Sequence, residues 1–361
     1  MRGFLIRIVG NKKKNKVNVE KIKKILIEGG RVGDIIVKTP MIRTLSNLNE
    51  NIKIDVIVEK GCESLLWNHP NINKIIIREK RKYKIKIFRV LEQLILAFKI
   101  RNKYDLFFDF TRNLRFFHIL SLRIMKPKYL IGCYRNEKFG IKKYELTIFD
   151  KYIDMNKNDH AVDINMKALE GLGLDISNRK YELYLGELED KYKNYFDKNK
   201  INIVFNFLGS SQGRCLTDED IEIFCQDIPK INKNIEVHLL TIPSIYDKMY
   251  LKLEELKLER VKLLPKTKNI LEAAAIIKYS DMLFSVDTGV VHIASVYNIP
   301  IVAIYTEDED TLRIFAPKSD ISSIIIGKKE ENLKIIDKEE VIKKIEETLE
   351  KMEILYGKYK L

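Results

Sequence analysis

An aspartate that follows a glycine-rich turn is the residue this sequence places best for chemistry. Asp34 closes the run Gly29-Gly30-Arg31-Val32-Gly33-Asp34, directly after Ile25-Leu26-Ile27. The pattern predicts a buried strand, a sharp turn and a helix start. A carboxylate there can accept a proton from a substrate hydroxyl, or it can simply cap the helix. Gly29, Gly30 and Gly33 do not have G-x-G-x-x-G spacing, which argues against a nicotinamide cofactor.

A second constellation, Asp287-Thr288-Gly289-Val290-Val291-His292, follows the apolar run Met282–Val286. Asp287 and Thr288 are both possible N-caps, and the free N–H groups of a helix start suit a phosphate. Thr288 and His292 are four apart and share a helix face. His292 can donate to a diphosphate or a sugar, or it can pack in the core. Gly209-Ser210-Ser211-Gln212-Gly213-Arg214 offers two hydroxyls and a guanidinium that can wrap phosphate oxygens, or it is a plain surface loop. In Asp109-Phe110-Thr111-Arg112-Asn113-Leu114-Arg115, Arg112 and Arg115 can meet an anionic acceptor, while Asp109 and Asn113 suit capping. His69, His118, His160 and His238 are scattered and read as structural. Nothing has metal-site spacing, so neither a metal nor a cofactor is expected.

These residues need strand ends and helix starts to hold them. Strands are predicted at Lys24–Glu28, Ile54–Val58, Ile75–Ile77, Leu106–Phe108 and Tyr129–Gly132, with helices at Ile87–Phe98 and Leu114–Met125 between them. In the first helix Leu91, Leu94, Ile95 and Phe98 share one face. Strands recur at Ile201–Phe205, Val237–Leu240, Val261–Leu264, Met282–Val286 and Ile301–Tyr305. Alternation of this kind predicts two α/β domains with doubly wound parallel sheets, whose strand ends bind ligands and face a shared cleft. The expected division is an N-terminal extension at 1–21, a first domain at 22–190, a second at 200–335 and a C-terminal helix at 336–361. The charged stretch Glu187–Lys200 marks the connection.

Composition narrows the partners. The 361 residues are 45% hydrophobic, enough for two cores, and 65 Lys+Arg against 51 Asp+Glu leave a net charge of +14. An excess of this sign favours a membrane surface, a nucleic acid or a phosphorylated substrate, unless it is only a solvated lysine-rich surface. A nucleic-acid partner is not expected, because no RNA-binding signature appears and the lysines sit among acidic residues. Cys62, Cys133, Cys215 and Cys225 form no C-x-x-C pair and read as reduced thiols. No run is long enough to span a membrane, and the start is too short for a secretory signal. Phe4 to Val9 followed by Lys12-Lys13-Lys14-Asn15-Lys16 suits an apolar anchor beside a basic cluster on an anionic bilayer, or else an extra strand or frayed tail. Arg78 to Lys84 is a further basic stretch. The expected location is cytoplasmic, peripheral on the inner membrane face.

Over residues 22 to 320 these motifs resemble family 9 glycosyltransferases, the heptosyltransferases of lipopolysaccharide core assembly. The likeness rests on Gly33-Asp34 with Thr39-Pro40, on Asn68-His69-Pro70-Asn71-Ile72, on Tyr104-Asp105-Leu106 through Asn113-Leu114-Arg115, and on Ile131-Gly132. Asp287-Thr288-Gly289 with His292-Ile293-Ala294, then Pro300-Ile301-Val302-Ala303, continue it. The resemblance implies the two-domain GT-B fold and an inverting, metal-independent transfer from a nucleotide diphosphate sugar, commonly ADP-heptose, to a lipid-linked anionic glycan. It implies Asp34 as general base, with Gly33, Arg112 and Arg115 towards the acceptor. Ser210, Ser211, Arg214, Asp287, Thr288, Gly289 and His292 would then hold the donor. Three departures stand out: Gly213 where the family has a lysine, Val286 where a polar residue often precedes Asp-Thr-Gly, and Thr306-Glu307-Asp308 where Gly-Pro is usual. They shift diphosphate binding onto Arg214 or elsewhere and leave room for an alternative, a non-catalytic GT-B-fold protein that binds a nucleotide sugar or glycan.

Overall fold

A computed structural model describes residues 2–79, 85–134, 137–142, 144–156, 158–306, 309–327 and 336–356. The basic stretch lies outside these from Lys80 on, as do Glu307 and Asp308 of the late departure. The chain forms two units, Met1–Lys180 and Tyr181–Leu361.

In the first unit the elements are α1 (Arg2–Gly10), β1 (Lys24–Gly30), α2 (Val32–Ile36), α3 (Thr39–Ser46), β2 (Lys53–Glu59), β3 (Lys74–Arg78), α4 (Lys86–Lys99), β4 (Leu106–Asp109), α5 (Phe116–Met125), β5 (Tyr129–Gly132), β6 (Lys151–Tyr152) and α6 (Ala161–Lys167). The second unit has β7 (Ile201–Asn206), α7 (Asp218–Ile231), β8 (Ile235–Leu240), α8 (Tyr246–Leu256), β9 (Val261–Leu263), α9 (Ile270–Ile277), β10 (Met282–Val286), α10 (Gly289–Val296), β11 (Ile301–Thr306), α11 (Glu309–Ile314), β12 (Ser322–Gly327) and α12 (Lys338–Tyr356).

Each unit holds one six-stranded parallel sheet. The orders are β3-β2-β1-β4-β5-β6 and β12-β11-β10-β7-β8-β9, one topology written twice. The central strands are buried on both faces, as parallel sheets covered by helices require, so they read as unbroken apolar runs rather than alternating ones. In both sheets the winding reverses beside the first strand, between β1 and β4 and between β7 and β10. The crevice outside the carboxyl ends of strands at such a reversal is where open α/β sheets bind ligands.

Several details depart from expectation for local reasons. The N-terminal segment is a helix, neither strand nor frayed tail: Ile6 and Gly10, four apart, turn inward, and a Cβ at Gly10 would come within 3.0 Å of Leu146. The units divide at Lys180, ahead of the charged stretch, because Tyr192 and Phe196 are buried in the second unit and the Tyr192 hydroxyl donates to Glu272 at 2.8 Å. The predicted helix at Ile87–Phe98 forms as α4, yet Leu91, Ile95 and Phe98 stay exposed.

One buried histidine makes the second unit acid-sensitive. His238 on β8 sits edge-on to Phe196 and gives its Nε2 proton to Asn202 Oδ1 at 3.1 Å, since the Asn202 amide nitrogen is already donating elsewhere. Burial pushes its pKa down to about 4, more strongly than the Glu236 carboxylate raises it. The unfolded chain therefore binds this proton first. The stabilisation is full above the ordinary histidine pKa and is lost as pH falls towards the folded value. Between pH 7.5 and 5 the ring should cost about 2 kcal/mol of stability. Urea unfolding at the two pH values should show that loss, and His238→Gln should remove it.

Candidate active site

The first reversal is built on two glycines. Gly29 has no room for a side chain: a Cβ would lie 2.7 Å from Val56 Cγ1 and 2.8 Å from Ile57 O on β2. Gly30 has φ +87°, a conformation glycine adopts without strain, and a Cβ there would come within 2.8 Å of Asp34 Oδ2. The pair thus turns the chain out of β1 and clears space for the carboxylate. Asp34 lies half-buried in α2, with Gly33 beside it, and Oδ2 accepts the Arg31 N–H at 3.2 Å. One oxygen therefore serves the helix start, and the side chain keeps partial access to solvent.

Beneath it lies a residue that the sequence did not single out. Lys38 is buried, and its Nζ donates to Gly29 O at 3.1 Å and to Asp34 O at 3.0 Å. The ammonium also sits 5.0 Å from the centroid of the Phe110 ring, just beyond β4. Lys38 so ties the end of β1, the Asp34 turn and the end of β4. Burial lowers its pKa; the charge of Asp34 opposes this, that of Arg112 adds to it and that of Glu28 opposes it. Glu28 is itself held in a two-pronged ion pair with Arg78, at 2.6 and 3.1 Å. The only sequence signal for Lys38 is a lysine inside the apolar run Ile35-Ile36-Val37-Lys38-Thr39-Pro40.

At the end of β4, Asp109 is buried. Its Oδ1 accepts the Thr111 N–H at 3.1 Å, and its Oδ2 meets His118 Nε2 at 2.7 Å. Burial alone would raise its pKa, but the His118 ring, by charge and hydrogen bond, pulls it below the ordinary carboxylate value. Gln93 on α4 meets the other ring nitrogen at 3.3 Å. His118, expected to be structural or superficial, is thus the bridge between the β4 loop and α4. The two arginines of this loop take different places. Arg112, with φ +49°, is close enough for its charge to act on Lys38, whereas Arg115 is exposed at the start of α5 and lines a cavity against α1 and α4.

The second reversal carries a cation and a carboxylate. Arg214 Nη1 donates to Asp287 Oδ2 at 2.7 Å, joining the loop after β7 to the end of β10. Asp287 is buried and its N–H donates to Ile304 O at 2.8 Å, while the guanidinium remains partly exposed. The Arg214 N–H donates to Ser211 O at 2.9 Å, closing the loop into a tight turn with Ser210 and Ser211 on its outside. Thr288 is the N-cap of α10 in extended geometry, and its hydroxyl makes no capping bond. Gly289 begins the helix. His292, one turn on, is only 3% exposed and packs edge-on against Phe315 at 5.9 Å. As placed, its ring belongs to the packing under the helix start, not to an open surface. Tyr305 lies below Asp287; burial raises its pKa, the Asp287 charge adds to this, and its hydroxyl donates to Phe315 O at 2.9 Å.

Two units of identical topology, each with a winding reversal at its first strand, define a doubly wound α/β protein of two similar halves. Comparison with known proteins gives the family. Residues 96–346 match the model for glycosyltransferase family 9 (heptosyltransferase). An Escherichia coli (strain K12) protein with the provisional name lipopolysaccharide heptosyltransferase 4 is 28% identical over 315 residues, covering 84% of this chain and 80% of its own. The crystal structure of a family 9 glycosyl transferase from Veillonella parvula DSM 2008 superposes with a TM-score of 0.70 at 18% identity, over 94% of this chain and all (100%) of the other. The E. coli heptosyltransferase WaaC with ADP gives 0.67 at 17% identity, over 90% of this chain and 99% of that one. The chain belongs to glycosyltransferase family 9, has the GT-B fold, and is a glycosyltransferase.

Proposed function

We propose that this glycosyltransferase moves a heptose from ADP-heptose to a lipopolysaccharide-core or related surface-glycan acceptor, with inversion at the transferred carbon and without a metal ion. The observation that supports it most is the Arg214–Asp287 pair at the second reversal, next to the uncapped start of α10. A guanidinium and helix N–H groups are the donors that a departing diphosphate needs. The lipopolysaccharide heptosyltransferase name of the E. coli relative and the ADP of the WaaC structure favour this donor and pathway.

In this mechanism Asp34 takes the proton of the acceptor hydroxyl as it attacks, and the sugar–phosphate bond breaks on the opposite face. Lys38 holds the Asp34 turn in place. Gly33 lets the acceptor approach the backbone closely, and Arg112 and Arg115 bind acceptor anions. Arg214, Ser210, Ser211, Thr288 and the Gly289 N–H hold the diphosphate. Asp287, a carboxylate, repels phosphate oxygens; its task is to hold Arg214 in position until the donor arrives. His292 supports the helix start from below and reaches the sugar only if its ring turns away from Phe315. The test is transfer itself: the protein with ADP-heptose and a truncated lipooligosaccharide should release ADP only when acceptor is present. Preference for UDP- or GDP-sugars would overturn the donor assignment.

A further inference from the structure

The first unit carries an apolar face of exposed side chains. On α4, Phe88, Leu91, Ile95 and Phe98 recur at spacings of three, four and three, the pattern that buries one side of a helix. All four are exposed, Ile95 at 54% and Phe98 at 58%. Helix α1 does the same: it buries Ile6 and turns out Phe4 (65%), Leu5 and Ile8. Both helices pack on α5, so the two stripes belong to one rigid surface. Between them opens a cavity of about 540 Å³ whose apolar lining includes Leu5, Phe117 and Phe139.

The rim of that face is cationic. Arg2, Lys86, Arg89 and Arg115 line the cavity, against a single acidic residue, Glu92, whose Oε1 accepts the Glu79 N–H at 2.9 Å. The chain after α1 then runs along α5 to a second, smaller recess lined by Lys13, Arg123 and Lys126. Exposed aromatic and aliphatic side chains beside long basic ones are the composition of a surface that sinks its apolar residues to the acyl boundary and leaves its cations among anionic headgroups. A second copy of the chain fits this surface poorly. A two-fold pairing centred on the cavity would press the arginine cluster against itself.

We propose that the α1–α4–α5 face is a docking surface for an anionic lipid bilayer. None of its apolar residues belongs to either strand-end site; of its rim, Arg115 is the residue that the proposed mechanism also gives to the acceptor. The sequence offered only the N-terminal segment as an anchor; the structure adds the exposed stripe of α4.

The test is flotation of the full-length protein with vesicles of phosphatidylcholine alone and of phosphatidylcholine with about 30 mol% phosphatidylglycerol. The protein should float with the anionic vesicles and not with the neutral ones, and high salt should weaken binding at least tenfold. The triple variant Leu91→Ser, Ile95→Ser, Phe98→Ser changes only exposed positions, so its circular dichroism should match the parent. Its vesicle binding should fall at least tenfold, while transfer to a water-soluble acceptor stays at the parent rate. Absence of parent binding to anionic vesicles overturns the proposal, as does a triple variant that floats as well as the parent. So does a parent dimer in light scattering that the triple variant dissolves, which would assign the face to a second copy.

Discussion

Asp34→Asn should lower turnover by about 10³-fold, within the range that a positioned general base contributes, and leave the fold unchanged. Asparagine is the informative substitution because it separates the two roles open to this side chain. Asp34 Oδ2 accepts the Arg31 N–H. Asparagine keeps an oxygen for that bond, which runs from the third position of α2 back to the Arg31 N–H. The variant thus preserves the turn, the space cleared by Gly30 and the Lys38 contacts to Gly29 O and Asp34 O. What it removes is the capacity to take a proton, together with the negative charge that offsets the burial of Lys38. Loss of that charge should cost about 1 kcal/mol of stability in urea, too little to unfold the protein, and KM for donor should hold while kcat falls. A variant that transfers sugar at the parent rate would reduce Asp34 to a cap.

Arg214→Met should weaken ADP binding by about 100-fold, the equivalent of one strong charge-assisted interaction. The companion Asp287→Asn should raise affinity, because the amide oxygen still accepts from the guanidinium and holds it in position while the repulsion towards phosphate is gone. In the free protein the guanidinium is engaged by Asp287 Oδ2 at 2.7 Å. A neutral partner competes less for it and adds no repulsion towards phosphate. Were the pair purely structural, both variants would lose stability and nucleotide affinity together. The two signs are read from calorimetric titration with ADP, paired with a melting curve for each variant.

How much of this was visible in the residues depends on the range of the interactions. The Gly29–Asp34 turn and the Asp287–Gly289 helix start were legible because strand, turn and helix signals are local. Five of the six strands of each sheet followed from the alternation, and the central ones read clearly because they are buried on both faces, whereas the edge strands β6 and β12 gave no signal that was read. The Arg214–Asp287 pair was not legible: the partners are separated by 73 positions, and only the adjacency of β7 and β10 brings them together. Lys38 was missed because charge reads as exposure, and its burial comes from Phe110 on another loop. The division at Lys180 was masked by charge, since Tyr192 and Phe196 carry the following segment into the second core despite the lysines around them. The α4 face shows the converse. Its periodicity announces that something must cover it without saying what.

The central claim is a single displacement with Asp34 as base, and the anomeric configuration of the product tests it most directly. Proton NMR of the acceptor glycan, recorded early in turnover with ADP-heptose, should show the transferred sugar with the configuration opposite to that in the donor. A product that retains the donor configuration would require a different mechanism and contradict the account.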